Sequence, residues 1–327
     1  MTVAWLEAIL ACPGCHGELD RREAAYVCQT CLRTYPVRYG IPDFRLEPDP
    51  YISVADEIGK IEGFSAPGRS FTDMVRAYYV LTPESPPELH SRYINAMAAA
   101  ARRGAGILRK LRMRYPEVAN RELLDLGCGT GGMCIAASTA FDRVVGVDVA
   151  LRWLVMGQQN LREKSLNVPL ICANAESLPF RPDAFDAVVA DAVVEHVRSP
   201  AAMRDETMRV LRSGGAFFFT TNNRYSVLPE PHVRIMGFGL LPRSWMESVA
   251  RRVRHTPYKA RLLSRSELLS VFRNVGEVML PWFEVGELGD RNERLRQSWE
   301  TISRYAPLRF LIRNVVPQYF ILGRRNA

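Results

Sequence analysis

The clearest pattern lies beyond residue 121, where short apolar runs each stop at a glycine or a polar residue: ELLDLG, RVVGVDV, PLICANA, FDAVVAD and GAFFFTT. Most are followed by segments with helical spacing, such as LRWLVMGQQNLREKSL and PAAMRDETMRVLRSGG. Strands that are apolar throughout, rather than at alternate positions, are covered on both faces. Their alternation with helices predicts an α/β fold, a mostly parallel sheet with helices on both sides. The tail adds VGEVMLPWFEV and PQYFILGRR as closing strands, the final pair antiparallel. Between GAFFFTT and that pair lies a large insertion, residues 224 to about 272.

Texture divides the chain into three parts. Residues 1–46 carry two cysteine pairs, CPGC and CQTC, with turn residues between the strand-like pieces AAYVC and TYPVRYGIPDF. Residues 47–115 hold two proline-rich patches, EPDPY and TPESPPELH, a helical stretch between them, and a long Ala/Arg helix beginning near Ser91. This part reads either as a linker with a packing helix or as a lid over a site. Residues 116–327 hold the α/β pattern, with no internal repeat.

Composition adds little until charge is considered. The chain has 327 residues, 47% hydrophobic and 24% charged, which suits a folded globular protein. The amino-terminal stretch lacks a basic leader and runs straight into cysteines, against a cleaved signal peptide. No run approaches the roughly 20 apolar residues of a membrane span, so a cytoplasmic protein is expected. The net charge of +8 is largely arginine, as in AARRGAGILRKLRMR and RRVRH. Such segments are either solvated helix faces or a surface for RNA, anionic lipid or a phosphorylated substrate.

The cysteines fall in two groups. Cys12 and Cys15, then Cys28 and Cys31, are paired at knuckle spacing, so that two tight turns bring four thiolates to one tetrahedral point. Four sulfurs without an open position favour a structural Zn2+ over a catalytic one, with an iron–sulfur centre or disulfides as lesser alternatives. His16 is not needed as a ligand. Cys128, Cys134 and Cys172 sit in apolar runs and read as small core residues. The stretch CPGCHGEL…CQTCLRTYPVRYGIPDF resembles the small zinc-ribbon proteins that activate RNA and release-factor methyltransferases. That resemblance implies a scaffold or docking role, with a protein partner for the head.

The glycine cluster after the first strand, DLGCGTG, allows a ligand to approach the backbone at the carboxyl edge of the sheet. The second strand ends about 20 residues later at Asp148, placed to accept hydrogen bonds from ribose hydroxyls. With ANAESLPF after the third strand and FDAVVADAVVEHV at the fourth, this ordered set resembles the S-adenosylmethionine-dependent methyltransferases of the seven-stranded Rossmann-like type. The resemblance implies S-adenosyl-L-methionine as cofactor. Asp125, Gly127, Cys128, Gly129 and Gly131 would surround its methionine part, and Asp148 and Val149 its ribose. Asn174, where the family usually has aspartate, would accept the adenine amino group through its amide oxygen, with Ala175 and Glu176 beside the ring. Asp191 would lie near the sulfonium and substrate.

Methyl transfer to a hydroxyl needs a proton acceptor, and the candidates are Glu195, His196 and His232. His196 reads equally as a cofactor-pocket residue. The insertion begins with turn-rich residues and becomes apolar at Met236, Phe238, Leu240, Leu241 and Trp245. It resembles segments of bacterial methyltransferases of unassigned specificity among glycan and lipid biosynthesis enzymes. The expected reaction is methylation, on oxygen, of a small-molecule, glycan- or lipid-linked acceptor, with peripheral contact to a membrane surface. The alternatives are an RNA methyltransferase and a non-catalytic scaffold of the same fold.

Overall fold

The computed structural model describes residues 4–82, 85, 87–279 and 304–326. The cysteine-rich head forms a four-stranded antiparallel sheet after a short helix, Ala4–Ile9. Its strands are β1 (Leu19–Arg21), β2 (Ala25–Cys28), β3 (Thr34–Arg38) and β4 (Ile41–Pro42), paired in chain order.

The first strand of the larger sheet in the chain is β5 (Glu122–Leu126), buried at every position and flanked by two later strands. β6 (Arg143–Asp148), β7 (Leu170–Cys172) and β8 (Phe185–Asp191) follow, each parallel to its neighbour. β9 (Leu211–Asn222) is parallel to β8, and the last strands, β10 (Gly276–Met279) and β11 (Gln318–Arg324), are antiparallel. The seven strands lie in the order β10-β11-β9-β8-β5-β6-β7. Burial on both faces explains why these runs are continuously apolar: Val188 and Ala190 of β8 face one apolar cluster while Ala187 and Val189 face the other.

Two details differ from the sequence pattern. The helix before β9 (Pro200–Val210) stops at Val210, and the chain enters the strand at once, so that LRSGG is sheet rather than helix. Gly214 takes φ +78 there, near the shift in pairing between β8 and β9. The Ala/Arg helix begins earlier than Ser91 and is two segments, Pro87–Ala98 and Ala100–Arg114, separated by a turn at Ala99. The later part of the run VGEVMLPWFEV lies outside the described residues.

The head is fused to the larger sheet. Tyr26, Tyr35 and Phe44 belong to the same apolar cluster as Leu126, Val147 and Phe180. Phe44 N–H donates to the Cys172 carbonyl at 2.7 Å, and Ala11 N–H to the Pro179 carbonyl at 3.0 Å. Asp43 pairs with Cys172 in a parallel bridge, so the chain leaving the head runs along the outer edge of β7.

Helices Val54–Phe64 and Phe71–Val80 then pack on the helix Leu151–Glu163, each started by a serine N-cap. A buried ion cluster fastens them. Arg152 Nη1 meets Asp49 at 2.6 Å and Glu57 at 2.9 Å, and Arg45 meets Asp43 and Glu57 at 2.8 and 2.9 Å. The helix Ala100–Arg114 crosses the glycine loop so closely that a Cβ on Gly132 would lie 2.3 Å from Ala100 Cβ. Residues 47–115 thus supply both packing helices and one wall of the cleft described next. The insertion after β9 has an apolar core of its own, around Val233, Phe238, Met246 and Tyr258.

Candidate functional site

A cleft of about 330 Å³ opens at the carboxyl edge of β5 and β8. Asp125, Gly127, Cys128, Gly129 and Asp191 line it from the sheet, and Tyr79, Tyr93, Met97, Arg103 and Trp153 from the helices. Gly127 and Gly129 have φ of +75 and +52, which turns the loop across the strand end. A Cβ on Gly127 would lie 2.2 Å from Val193 Cγ2, so this position admits only glycine. Gly129 has open space beside it. Gly131, at φ +78, starts the short helix Gly132–Ala137.

Burial governs the two carboxylates at the strand ends. Asp125 is pushed up to about 7, with Cys134 Sγ donating to it at 3.2 Å. Asp148 is pushed up to about 6, held back by the N–H groups of Ala150 and Gly129, each donating at 2.8 Å. Asp148 thereby fixes the glycine loop to the end of β6. Asp191 accepts from Thr220 Oγ1 at 2.6 Å and faces Arg103 Nε at 3.6 Å.

The expected adenosine-side residues lie outside this cleft. Asn174 Oδ1 accepts the N–H groups of Leu46 and Glu47 at 2.9 and 3.1 Å, and its Nδ2 donates to the Glu47 carbonyl at 3.0 Å. Both acceptor sites of the amide oxygen are taken by the chain leaving the head, whereas the sequence placed that oxygen on an adenine amino group. The Val149 carbonyl accepts from Arg45 Nη1 at 3.0 Å. Glu176 accepts Arg198 N–H at 2.7 Å, and Ala175 packs against the core.

His196 and His232 are brought together from distant segments. Their Nε2 atoms lie 3.2 Å apart. His232 Nδ1 is 2.5 Å from Glu230 Oε1, and His196 Nδ1 is 3.3 Å from the Tyr51 hydroxyl. Burial, then the neighbouring His232, lowers His196 to about 3. Burial also acts to lower His232, but the hydrogen bond and charge of Glu230 outweigh it and raise this imidazole above 6.5. Glu195 is buried and raised by desolvation, and it accepts from Thr221 Oγ1 and Asn222 Nδ2. It is therefore a strut between β8 and β9. Glu230, Tyr51, Tyr258 and Tyr93 were not legible as site residues; the nearest signal was PEPH, which puts Glu230 two residues before His232.

In the head, the four cysteine sulfurs lie within 4.8 Å of one another. Cys12 and Cys31 are 3.7 Å apart and Cys15 and Cys28 3.5 Å, against about 3.8 Å for sulfurs around a tetrahedral zinc. The Tyr35 hydroxyl is 3.1 Å from Cys12 Sγ, and Cys31 N–H donates to Cys28 Sγ. The residues fit a four-cysteine zinc site with outer hydrogen bonds to the sulfurs. Cys128, Cys134 and Cys172 are buried.

This strand order, with its glycine loop and acidic strand ends, is the fold of the S-adenosylmethionine-dependent methyltransferases. Residues 124–219 match the family model described as a methyltransferase domain. Similar curated proteins include the ubiquinone biosynthesis O-methyltransferases of Chromobacterium violaceum, 31% identical over 34% of this chain and 48% of that protein, and of Saccharophagus degradans, 33% identical over 36% and 52%. The chain thus spans about half the length of the curated relatives it matches. Among solved structures, phosphoethanolamine N-methyltransferase 2 of Haemonchus contortus aligns with 69% of this chain and 53% of that one, at 19% identity and a TM-score of 0.46. Among the described residues, no helix is long and apolar enough to cross a membrane.

Proposed function

We propose that this chain is an S-adenosylmethionine-dependent methyltransferase acting on a hydroxyl of a small-molecule, glycan- or lipid-linked acceptor. The carrying observation is the cleft at the carboxyl edge of β5 and β8, where the glycine loop, Asp125 and Asp191 converge inside the segment matching the methyltransferase model. The relatives named O-methyltransferases support oxygen as the acceptor atom.

Bound S-adenosylmethionine would supply an electrophilic methyl group on a sulfonium. The chain's own task is to orient the reactants, exclude water and take up the hydroxyl proton. Gly127 and Gly129 offer close backbone approach, and Asp148 holds their loop in place. Arg103 and Asp191 present opposite charges at the mouth of β8. The donor's adenosine half would lie toward Asp148 and Val149, at the end of β6.

The hydrogen bonds around the two imidazoles support a proton path. With His232 neutral, the Tyr51 hydroxyl donates to His196 Nδ1, His196 Nε2–H to His232 Nε2, and His232 Nδ1–H to Glu230. A proton passed inward along this chain rests on His232, the imidazole that Glu230 makes the more basic. The four thiolates of the head would hold a structural zinc that fixes the strands leading to the Asn174 contact. Exposed Met236, Leu240 and Trp245 on the insertion support an amphipathic acceptor.

The test is incubation with radiolabelled cofactor and fractionated cell extract. Label in the lipid or small-molecule fraction is the expected result. Label in nuclease-sensitive material would replace this reading by an RNA methyltransferase, and cofactor binding without turnover on any fraction would leave a scaffold.

A further inference from the structure

We propose that the chain carries a second pocket, distinct from the cofactor cleft, in which Arg224 and Arg234 grip a carboxylate or phosphate on the acceptor. The ligand's status as acceptor rests on the methyl-transfer reading; the pocket's chemistry does not.

The cavity, about 310 Å³, lies where β9 ends and the insertion begins. Asn222, Arg224 and Ser226 enter it from the strand end, Arg234 from a hairpin closed by the Pro229–Met236 bridge, and Leu228 and Leu262 give it an apolar side. Local structure fixes both arginines. Arg224 N–H donates to the Leu263 carbonyl at 3.1 Å. Arg234 takes φ +57, with its N–H on the Glu230 carbonyl at 2.8 Å and its own carbonyl accepting from Arg254 Nη2 at 3.3 Å. A left-handed non-glycine residue costs about 1–2 kcal/mol, so the surrounding contacts impose this turn.

Charge points to the ligand. Most arginines around the site have a carboxylate partner: Arg152 with Asp49 and Glu57, Arg243 with Glu267, Arg254 with Glu88. Arg224 and Arg234 are half-buried and make no ion pair among the described residues. The Arg224 side chain donates from Nε to the Gly239 carbonyl at 3.3 Å, and its guanidinium lies over the Tyr225 ring. The carboxylate in the wall, Glu230, is committed to His232 Nδ1 and to the N–H groups of His232 and Val233. The pocket is left with a positive excess. Two guanidinium forks with no counter-ion among the described residues suit bidentate recognition of a planar or tetrahedral oxyanion.

Position joins this pocket to the reaction. Glu230 and Pro231 line it, while the carbonyl of the next residue, His232, accepts from Tyr93, a residue of the cofactor cleft, at 3.0 Å. His232 therefore stands in the chain segment that touches both cavities. An acceptor anchored here by its anionic end would be held beside that segment.

The test is calorimetry on the full chain at fixed ionic strength with three probes: inorganic phosphate, benzoate and short-chain dihexanoyl phosphatidic acid. At least one is expected to bind saturably, one per chain, and to weaken at least about tenfold in R224Q/R234Q. Binding to R251Q/R252Q, altered on an exposed helix face, should match the parent. Preference for benzoate assigns a carboxylate, for phosphate a phosphoryl group, and for the phosphatidic acid a lipid-linked one. No saturable binding of any probe, or equal binding to R224Q/R234Q, overturns the proposal. Should that variant melt early, R224K/R234K keeps the charge and loses the forks; undiminished binding there overturns it as well. S-adenosylhomocysteine should bind parent and variants alike. If it binds none of them while the anions behave as expected, the methyl-transfer reading falls and the pocket stands.

Discussion

His196 and His232, 36 residues apart in sequence, face each other Nε2 to Nε2 at 3.2 Å, with Glu230 behind one ring and Tyr51 beyond the other. Two equal imidazoles would share a proton evenly. Here Glu230 breaks the symmetry, lifting His232 above 6.5 while burial holds His196 down at about 3. Methyl transfer to a hydroxyl should therefore rise with pH as His232 loses its proton, with an inflection above 6.5. Glu230→Gln should move that inflection to lower pH. An unchanged pH–rate profile in this variant would remove His232 from the proton path.

The same pair makes a stability prediction. His232 is raised on folding, so its contribution is complete below 6.5 and is lost as pH rises through the higher folded value. Glu230 is lowered, despite burial, by its bond to His232, so its contribution is complete above 4.5 and is lost as pH falls through the lower folded value. The melting-temperature difference between the parent chain and Glu230→Gln should peak between pH 4.5 and 6.5 and shrink on either side.

Asn174→Ala removes three hydrogen bonds between β7's loop and the chain leaving the head. A loss of about 1–2 kcal/mol in unfolding free energy is expected. Because the amide oxygen is already occupied, affinity for S-adenosylhomocysteine should change less than in Asp148→Ala. The latter is expected to lose roughly 1–3 kcal/mol of cofactor binding through missing hydrogen bonds and a loosened loop. Denaturant titration and calorimetry on the two variants separate these effects, and the opposite ranking would return Asn174 to the adenine ring.

Gly127→Ala places a methyl group where Val193 Cγ2 stands and forces φ +75 on an L-residue. About 1–3 kcal/mol of stability should be lost, with weaker cofactor binding. Chemical denaturation checks the first expectation and calorimetry the second.

Native mass spectrometry should find about one zinc per chain, released in Cys12→Ser. Because Tyr26, Tyr35 and Phe44 are packed into the main core, the metal-free chain should melt earlier in one transition. Two separate transitions would show that the head unfolds independently.

Much of the fold was legible because strands covered on both faces must be apolar at every position, and five such runs stand out between residues 122 and 221. The glycine loop was legible for a related reason: Gly127 has φ +75 and no room for a side chain, a local demand that leaves a local mark. The four head cysteines were equally plain, since two pairs at knuckle spacing are a local pattern, and their sulfurs do converge within 4.8 Å of one another. The early stop of the helix at Val210 was not, because pairing with β8 draws LRSGG into the sheet against its helical spacing.

What the chain's order of residues determined by itself was therefore what depends on neighbours in sequence: strand runs, turns at glycine, paired thiols. Tertiary structure alone decided that Asn174 is spent on Leu46 and Glu47, that His196 meets His232, and that Arg224 and Arg234 have no carboxylate partner among the described residues. The first two depend on segments between 36 and 128 residues apart coming within a few ångströms. A polar side chain's role is set by whichever partner reaches it first in space, and the linear pattern carries no record of that competition.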